Sequence, residues 1–294
     1  MFVDGTTIEQ TPAGHLPTLA RILLVTDFSP CSEAAVPVAR LLAESYGGSV
    51  TAAHVILRDE DLGPAEAVIG TPEELAAIAE NQMTAFLTRN SLGEAESIII
   101  SGPFEEAIAT LVTEREFDGV VIGTHGRTGV GKLLLGSVAQ RIFNSVPCPV
   151  VTVSSKARTP VWMGTKLNKI LYATDLSDIS KRALPYALSL AQANDAELLL
   201  AYAPEASVRD EGLDQDLAEL VASAGRSWSR LAQLSIAGDP ASGIVTLAVS
   251  GEVDLIVIGA ERLSEGPLHR FNVPFTTVYQ IVANAPCPVL RVRS

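Results

Sequence analysis

Cysteine, aromatic residues and positive charge are all scarce in this sequence, and each shortage excludes a class of protein. The three cysteines stand far apart at Cys31, Cys148 and Cys287, too few for a disulfide framework and at no spacing that a zinc site uses. The four histidines form no H-x3–5-H cluster. A reducing compartment, the cytoplasm, is the expected setting. Lys and Arg number 21 against 34 Asp and Glu, a formal net charge of −13. That balance argues against nucleic acid and anionic membrane as partners, because both need basic patches. No stretch approaches the roughly 20 uninterrupted apolar residues of a membrane span. The first 20 residues, MFVDGTTIEQTPAGHLPTLA, lack the apolar centre of a signal peptide and read as a loose leader. A soluble protein is expected.

Aliphatic residues are abundant instead. The chain is 47% hydrophobic with only 5% aromatics, a composition that suits helices packed on a buried parallel sheet. Its 294 residues exceed the usual size of one domain, so two are expected.

Internal similarity supports that division. RILLVTDFSPCSEAAVPVARLLAESYGGSVTAAHV (21–55) aligns with KILYATDLSDISKRALPYALSLAQANDAELLLAYA (169–203), 148 residues on. SGPFEEAIATLVTEREFDGVVIG (101–123) aligns with AGDPASGIVTLAVSGEVDLIVIG (237–259) at 136, and VPCPVVTV (146–153) with APCPVLRV (285–292) at 139. Three colinear blocks make a duplication. The falling offset means the second copy lacks twelve residues of a central loop, and the later rise adds three beside the glycine-rich segment of the first. We divide the chain into a leader (1–20), a first domain (21–154), a linker (155–168) and a second domain (169–294).

Each copy alternates strand and helix. In the first, strands are predicted at 21–26, 50–57, 97–101, 119–123 and 149–153, and helices from Ser29-Pro30 and over 72–90, 104–115 and 137–145. Ser29 is the expected N-cap with Pro30 at the first helical position. Pro37 inside that helix predicts a kink or a late start, and Pro185 repeats the feature. β-α-β-α order implies a parallel sheet with helices on both faces, and ligands in such sheets bind beyond the carboxyl ends of the strands.

The strand GVVIG runs into GTHGRTGVGKLLLGSVAQRIF, where Gly123, Gly126 and Gly136 are spaced G-x2-G-x9-G with Ser137 following. Glycines there let the backbone turn sharply and approach a ligand. A helix opening at Gly136-Ser137 presents free N–H groups and a positive dipole end to an anion, and Arg127 and Lys132 add two positive charges. Two readings stay open at this point, a phosphate cradle and a set of structural turns with Ser137 as a mere N-cap. The segment is neither G-x4-G-K-[ST] nor G-x-G-x-x-G.

Together, ILLVTDFS, the strand ending His54-Val55, GTHGRTGVGKLLLGSVAQRI and PCPV resemble the universal stress protein family over nearly the whole chain. That resemblance implies an α/β fold, two tandem doubly wound parallel five-stranded sheets in 3-2-1-4-5 order, adenine nucleotide alpha hydrolase-like, with the last strands pairing between domains. G-x2-G-x9-G-[ST] is the signature of the family's ATP-binding branch. Carried onto this chain, it implies that Val25 and Thr26 line the adenine side, Asp27 sits near the nucleoside and Val55 meets adenine through its backbone. Ile122 and Gly123 flank ribose and phosphates, and Gly126, Arg127, Gly136, Ser137 and Val138 hold the phosphates. The implied ligand is ATP, with or without Mg²⁺, in a homodimer whose regulatory partner the sequence does not name. Asp27 suits ribose hydroxyls as an acceptor; its alternative role is to cap the turn that follows. His125 reads as an exposed loop residue.

The second copy departs from the pattern. Arg262 stands where Gly126 was, and Phe275 and Thr276 fall at the Gly136 and Ser137 positions behind Pro274. Ala203 replaces Val55. Asp175 survives, but this half is expected to be a structural or pairing module. The function expected is a nucleotide-dependent stress-response regulator; a slow ATPase or ATP-dependent transferase, and a ligand-free pseudo-dimer, are the alternatives. Against catalysis, no general base or paired carboxylates stand at a plausible point of attack. Cys148 and Cys287 are expected in the core, Cys31 in the first turn after Asp27, and Glu105, Glu106, Glu114 and Glu116 on a solvated face.

Overall fold

The computed structural model describes residues 16–57, 70–124, 141–143, 145–154, 156–157, 166–202, 231–235, 238–260 and 277–293. The first half contributes β1 (Arg21–Val25), α1 (Pro30–Glu44), β2 (Ser49–Ile56), α2 (Pro72–Arg89), β3 (Glu96–Ser101), α3 (Phe104–Glu114), β4 (Gly119–Gly123) and β5 (Val150–Val153). The second contributes β6 (Lys169–Thr174), α4 (Asp178–Asn194), β7 (Glu197–Tyr202), β8 (Leu231–Ser235), α5 (Pro240–Ser250), β9 (Leu255–Gly259), α6 (Thr277–Asn284) and β10 (Val289–Val292). Residues 141–143 and 145 are also helical. Boundaries of the first-half elements lie within a residue of the sequence reading wherever both ends are described. Helix α1 starts at Pro30 and runs through Pro37, so the late start is not seen.

Within each half the strands are parallel and ordered 3-2-1-4-5, as the family resemblance implies. The halves do not form two separate sheets. β5 pairs antiparallel with β10, giving one ten-stranded sheet in the order β3-β2-β1-β4-β5-β10-β9-β6-β7-β8. This pairing satisfies the backbone groups of two strands that would otherwise be open edges.

Strand residues alternate between the two faces, and each face is covered. On one, α1, α2 and α4 bury Ile22, Leu24, Val121, Tyr172 and Leu290. On the other, α3, α5, α6 and the helical turn at 141–143 bury Leu23, Val120, Ile122, Leu171 and Val289. Both apolar layers pass through the β5–β10 seam without a break. Polar contacts cross it too: the Tyr46 hydroxyl bonds Ser189 Oγ at 2.9 Å and Ser45 Oγ donates to Asn194 Oδ1 at 3.2 Å. Burial pushes the Tyr46 hydroxyl up to about 12.

The duplication also repeats a clamp below the first strand of each half. Asp118 Oδ2 accepts from the Ala20 and Arg21 amides at 3.0 and 2.8 Å. Asp254 Oδ2 accepts from Asn168 and Lys169 at 2.7 and 3.0 Å. Each carboxylate ties the entry of β1 or β6 to the neighbouring strand, and Leu19, just before β1, is buried.

Candidate functional site

β1 and β4 are neighbours, with Val25 opposite Ile122. The chain leaves β1 for α1 on one face of the sheet, while the helical turn that follows β4 in sequence lies against the other. Strand order therefore reverses between them, and their carboxyl ends frame the crevice where doubly wound sheets bind ligands. Val25, Thr26, Asp27, Ile122 and Gly123 converge there, with His54 and Val55 at the end of adjacent β2.

The first-half loop is held by its own side chains. Thr26 Oγ1 lies 2.9 Å from Ser32 Oγ and accepts from the Phe28 amide at 2.9 Å. Asp27 Oδ1 accepts from the Ser29 amide at 3.0 Å, and Ser29 caps α1 by accepting from the Ser32 amide at 3.3 Å. These bonds hold Phe28 in the left-handed region at φ 63°. The second half repeats the motif: Thr174 bonds Ser180 at 2.9 Å, Asp175 accepts from Ser177 at 2.9 Å, and Leu176 has φ 65°. The shared T-D-x-S-x-x-S frame is therefore a folding element, and turn-capping by Asp27 is realised at one of its oxygens. In the second half, partial burial works to raise the Asp175 carboxyl. Hydrogen bonds from the Ser177 side chain and amide outweigh it and hold the group below the usual aspartate range.

Gly123 has a reason that the sequence did not reveal. A Cβ there would stand 2.7 Å from the Cys31 carbonyl oxygen and 3.0 Å from the Ser32 amide nitrogen. The glycine lets the first turn of α1 rest on the end of β4. Gly259 makes the same approach to the Ile179 carbonyl, in the half without the phosphate pattern. Close helix–strand contact, more than ligand approach, explains these glycines.

Other residues singled out from sequence lie as follows. The side chains of Val25, Val55 and Ile122 are buried in the apolar layer on the α3 face of the sheet. Cys287 is buried; Cys148 is partly buried, with its thiol pushed up by burial to about 12, and both suit core packing. Cys31 Sγ lies 3.6 Å from the Val153 carbonyl. Gly126, Arg127, Gly136, Ser137 and Val138, together with His125 and Lys132, lie outside the described residues, as do Ala203, Arg262, Pro274, Phe275 and Thr276. Among the described residues no group of three His, Cys, Asp or Glu is placed to hold a metal.

His54 was missed as a crevice residue. Its Nδ1 lies 2.8 Å from the Thr26 carbonyl, and its ring sits 4.4 Å from Phe28, which also meets Phe86 edge-on. The available signal was one imidazole in the otherwise apolar end of SVTAAHVI; Tyr202 takes its place in the second half. A groove of about 830 Å³ lined by Arg40, Glu44, Thr88, Glu94 and Glu96 lies at the opposite, amino ends of β2 and β3, away from this constellation.

The profile of the Universal stress protein family matches the chain twice, over residues 18–154 and 166–293. The chain belongs to the universal stress protein family. A universal stress protein of Thermus aquaticus is 28% identical over 138 residues, covering 45% of this chain and 96% of the relative. One of Methanocaldococcus jannaschii is 29% identical over 139 residues, covering 45% of this chain and 81% of its own. Each therefore matches about half of the tandem protein. A solved universal stress protein from Archaeoglobus fulgidus covers 94% of this chain and 97% of its own at a TM-score of 0.70 and 17% identity. That likeness supports the fold of the whole tandem.

Proposed function

We propose that the first domain (21–154) of this universal stress protein binds an adenine nucleotide, ATP with or without Mg²⁺, at the β1–β4 crevice. Occupancy then regulates assembly or partner binding in a stress response, and the second domain (169–294) acts as a structural and pairing module. One observation carries the reading. The halves share topology, the T-D-x-S-x-x-S frame and the glycine that ends β4 or β9, yet diverge in the next segment, where only the first has G-x2-G-x9-G-S. A scaffold kept in both copies beside a pattern kept in one is what a single nucleotide site predicts.

In this reading Asp27 accepts from the ribose hydroxyls, and Val25, Thr26 and Val55 border the base through their backbone. Ile122 and Gly123 flank the sugar and phosphates. Gly126, Arg127, Gly136, Ser137 and Val138 hold the phosphates by backbone N–H groups, one hydroxyl and one guanidinium. A carboxylate repels bare phosphate, so Mg²⁺ would lie between Asp27 and any phosphate oxygen that approached it. Because β5 and β10 already pair within the chain, a homodimer would use other surfaces; light scattering of the purified protein gives its mass directly.

Titration calorimetry of the full chain with ATP tests the binding. The expected stoichiometry is one per chain, abolished by Gly126→Arg and unchanged by Arg262→Gly. Absence of binding to the wild type, or two equal sites, overturns the reading.

A further inference from the structure

The ladder between β1 and β2 stops one residue pair earlier than its copy in the second half. Its last pair is Val25–Ala53, whereas β6 and β7 pair on through Thr174–Tyr202, the repeat equivalents of Thr26 and His54. In a parallel ladder, alternate residues of a strand turn their N–H and C=O toward the same neighbour. The Thr26 amide donates to the Ala53 carbonyl, while from the other side the Gly102 amide donates to the Ile56 carbonyl. Odd-numbered residues of β2 therefore face β1. The amide and carbonyl of Val55 point past the end of β1, where the Thr26 carbonyl and the Phe28 amide would be their ladder partners.

Both of those partners are drawn off. The Phe28 amide donates to Thr26 Oγ1 at 2.9 Å. The Thr26 carbonyl lies 2.8 Å from His54 Nδ1; facing a carbonyl oxygen, that nitrogen carries the proton and donates. The imidazole packs on the Phe28 ring, 4.4 Å away, which meets Phe86 of α2 edge-on. The second half shares the first diversion, since the Leu176 amide donates to Thr174 Oγ1 at 2.9 Å, but not the second. Tyr202 has a ring carbon where His54 has Nδ1, Leu176 replaces Phe28, and the Thr174 carbonyl stays in the ladder. Among the described residues nothing else pairs with the Val55 amide or carbonyl, and the residue is only 6% exposed. Backbone groups left unpaired inside a protein are rare and costly. These two stand at the carboxyl end of β2, beside the crevice.

We propose that His54 is a positioning residue for the base of the nucleotide: by taking the Thr26 carbonyl it ends the β1–β2 ladder early and leaves the Val55 amide and carbonyl to the ligand. This rests on the nucleotide reading above and deepens it on the nucleoside side. A free N–H beside a free C=O on one strand edge suits a planar heterocycle that presents an acceptor next to a donor, as the amino-bearing edge of adenine does. The imidazole acts through the backbone, and the role asks no contact of it with the base. With Tyr202 in place the second half carries its ladder one pair further, a difference between the halves that is independent of the glycine pattern.

The test takes two readouts on the full chain: ATP affinity by titration calorimetry, and hydrogen exchange of the Val55 amide by NMR beside that of Ala53, whose amide lies in the ladder. In the wild type without ligand, Val55 should exchange faster than Ala53, and ATP should slow it. His54→Tyr, which installs the residue of the other half, should slow Val55 toward the Ala53 rate without ligand, as its amide takes the Thr26 carbonyl. ATP affinity should then fall about ten-fold, the scale of one hydrogen bond at a buried group. His54→Asn, whose side-chain amide offers a donor near the Nδ1 position, should keep Val55 exchange fast and recover part of the affinity. Unchanged ATP affinity in His54→Tyr overturns the proposal. So does a loss of affinity without slower Val55 exchange, the mark of a merely structural role. If His54→Tyr does not fold, the wild type still decides: a Val55 amide that exchanges as slowly as Ala53 without ligand, or that ATP leaves unprotected, overturns the positioning role. The wild-type titration is read first, and failure to bind ATP there overturns the nucleotide reading and the positioning role with it.

Discussion

Val151 of β5 and Leu290 of β10 face each other in the antiparallel seam, and they are the same position of the repeat, 139 residues apart. An approximate twofold axis therefore passes through this pair and relates the halves as it would two subunits of a dimer. The contact is isologous, each half presenting the same strand to the other. Fusion makes it intramolecular and allows the two sides to diverge, which Arg291 and Thr152, at equivalent positions of the repeat, have done.

Because both apolar layers cross the seam, the chain should unfold as one unit. Urea denaturation followed by circular dichroism should give a single transition. Leu290→Ala should lower stability by about 2–5 kcal/mol, the range for a buried leucine, without splitting it. Two resolved transitions in the wild type would show that the halves fold independently.

Gly123→Ala and Gly259→Ala should both destabilise by about 1–3 kcal/mol, because each added methyl meets helix backbone that cannot yield cheaply. Thermal melts of the two variants decide this. A neutral Gly259→Ala would remove the packing explanation, since that half lacks the phosphate pattern.

Asp27→Asn separates the two roles of that side chain. The amide oxygen still accepts from the Ser29 amide, so stability should change by less than about 1 kcal/mol. Adenine-nucleotide affinity, measured by calorimetry, should fall about ten-fold as a charged acceptor for hydroxyls becomes neutral. Wild-type affinity in the variant would leave Asp27 as a turn cap alone.

Asp175 makes stability depend on pH in a definite direction. Its folded carboxyl lies below the usual range, so the charged form is favoured in the native state. That contribution is complete above the unfolded value of about 3.9. It is lost as pH falls from there through the lower folded value. Urea midpoints between pH 7 and pH 3 should show a shallower acid decline in Asp175→Asn than in the wild type. An identical decline would mean the Ser177 hydrogen bonds contribute nothing net.

Much of the architecture was legible locally. Short aliphatic runs, helical stripes and the Ser29-Pro30 start are properties of neighbouring residues, so their periods and caps locate elements to within a residue. The duplication was legible too, since aligned blocks need no coordinates. What was not legible depends on partners distant in the chain. Asp118 looked like one acid among many until it met the Ala20 and Arg21 amides. Gly123 looked like a ligand glycine until Cys31 was seen lying on it. His54 carried no pattern of its own, and Arg291 was only an odd charge in an apolar strand.

By itself, then, the amino-acid sequence determined the repeat, the α/β alternation and the family, because these rest on composition, periodicity and motif. Only the tertiary structure decided that two five-stranded units make one sheet. That outcome depends on backbone groups of β5 and β10 finding each other over 130 residues of chain, and on both faces burying their apolar layers across the join. The same join carries Arg291 from one half to the Phe143 carbonyl of the other, a contact that no local pattern encodes.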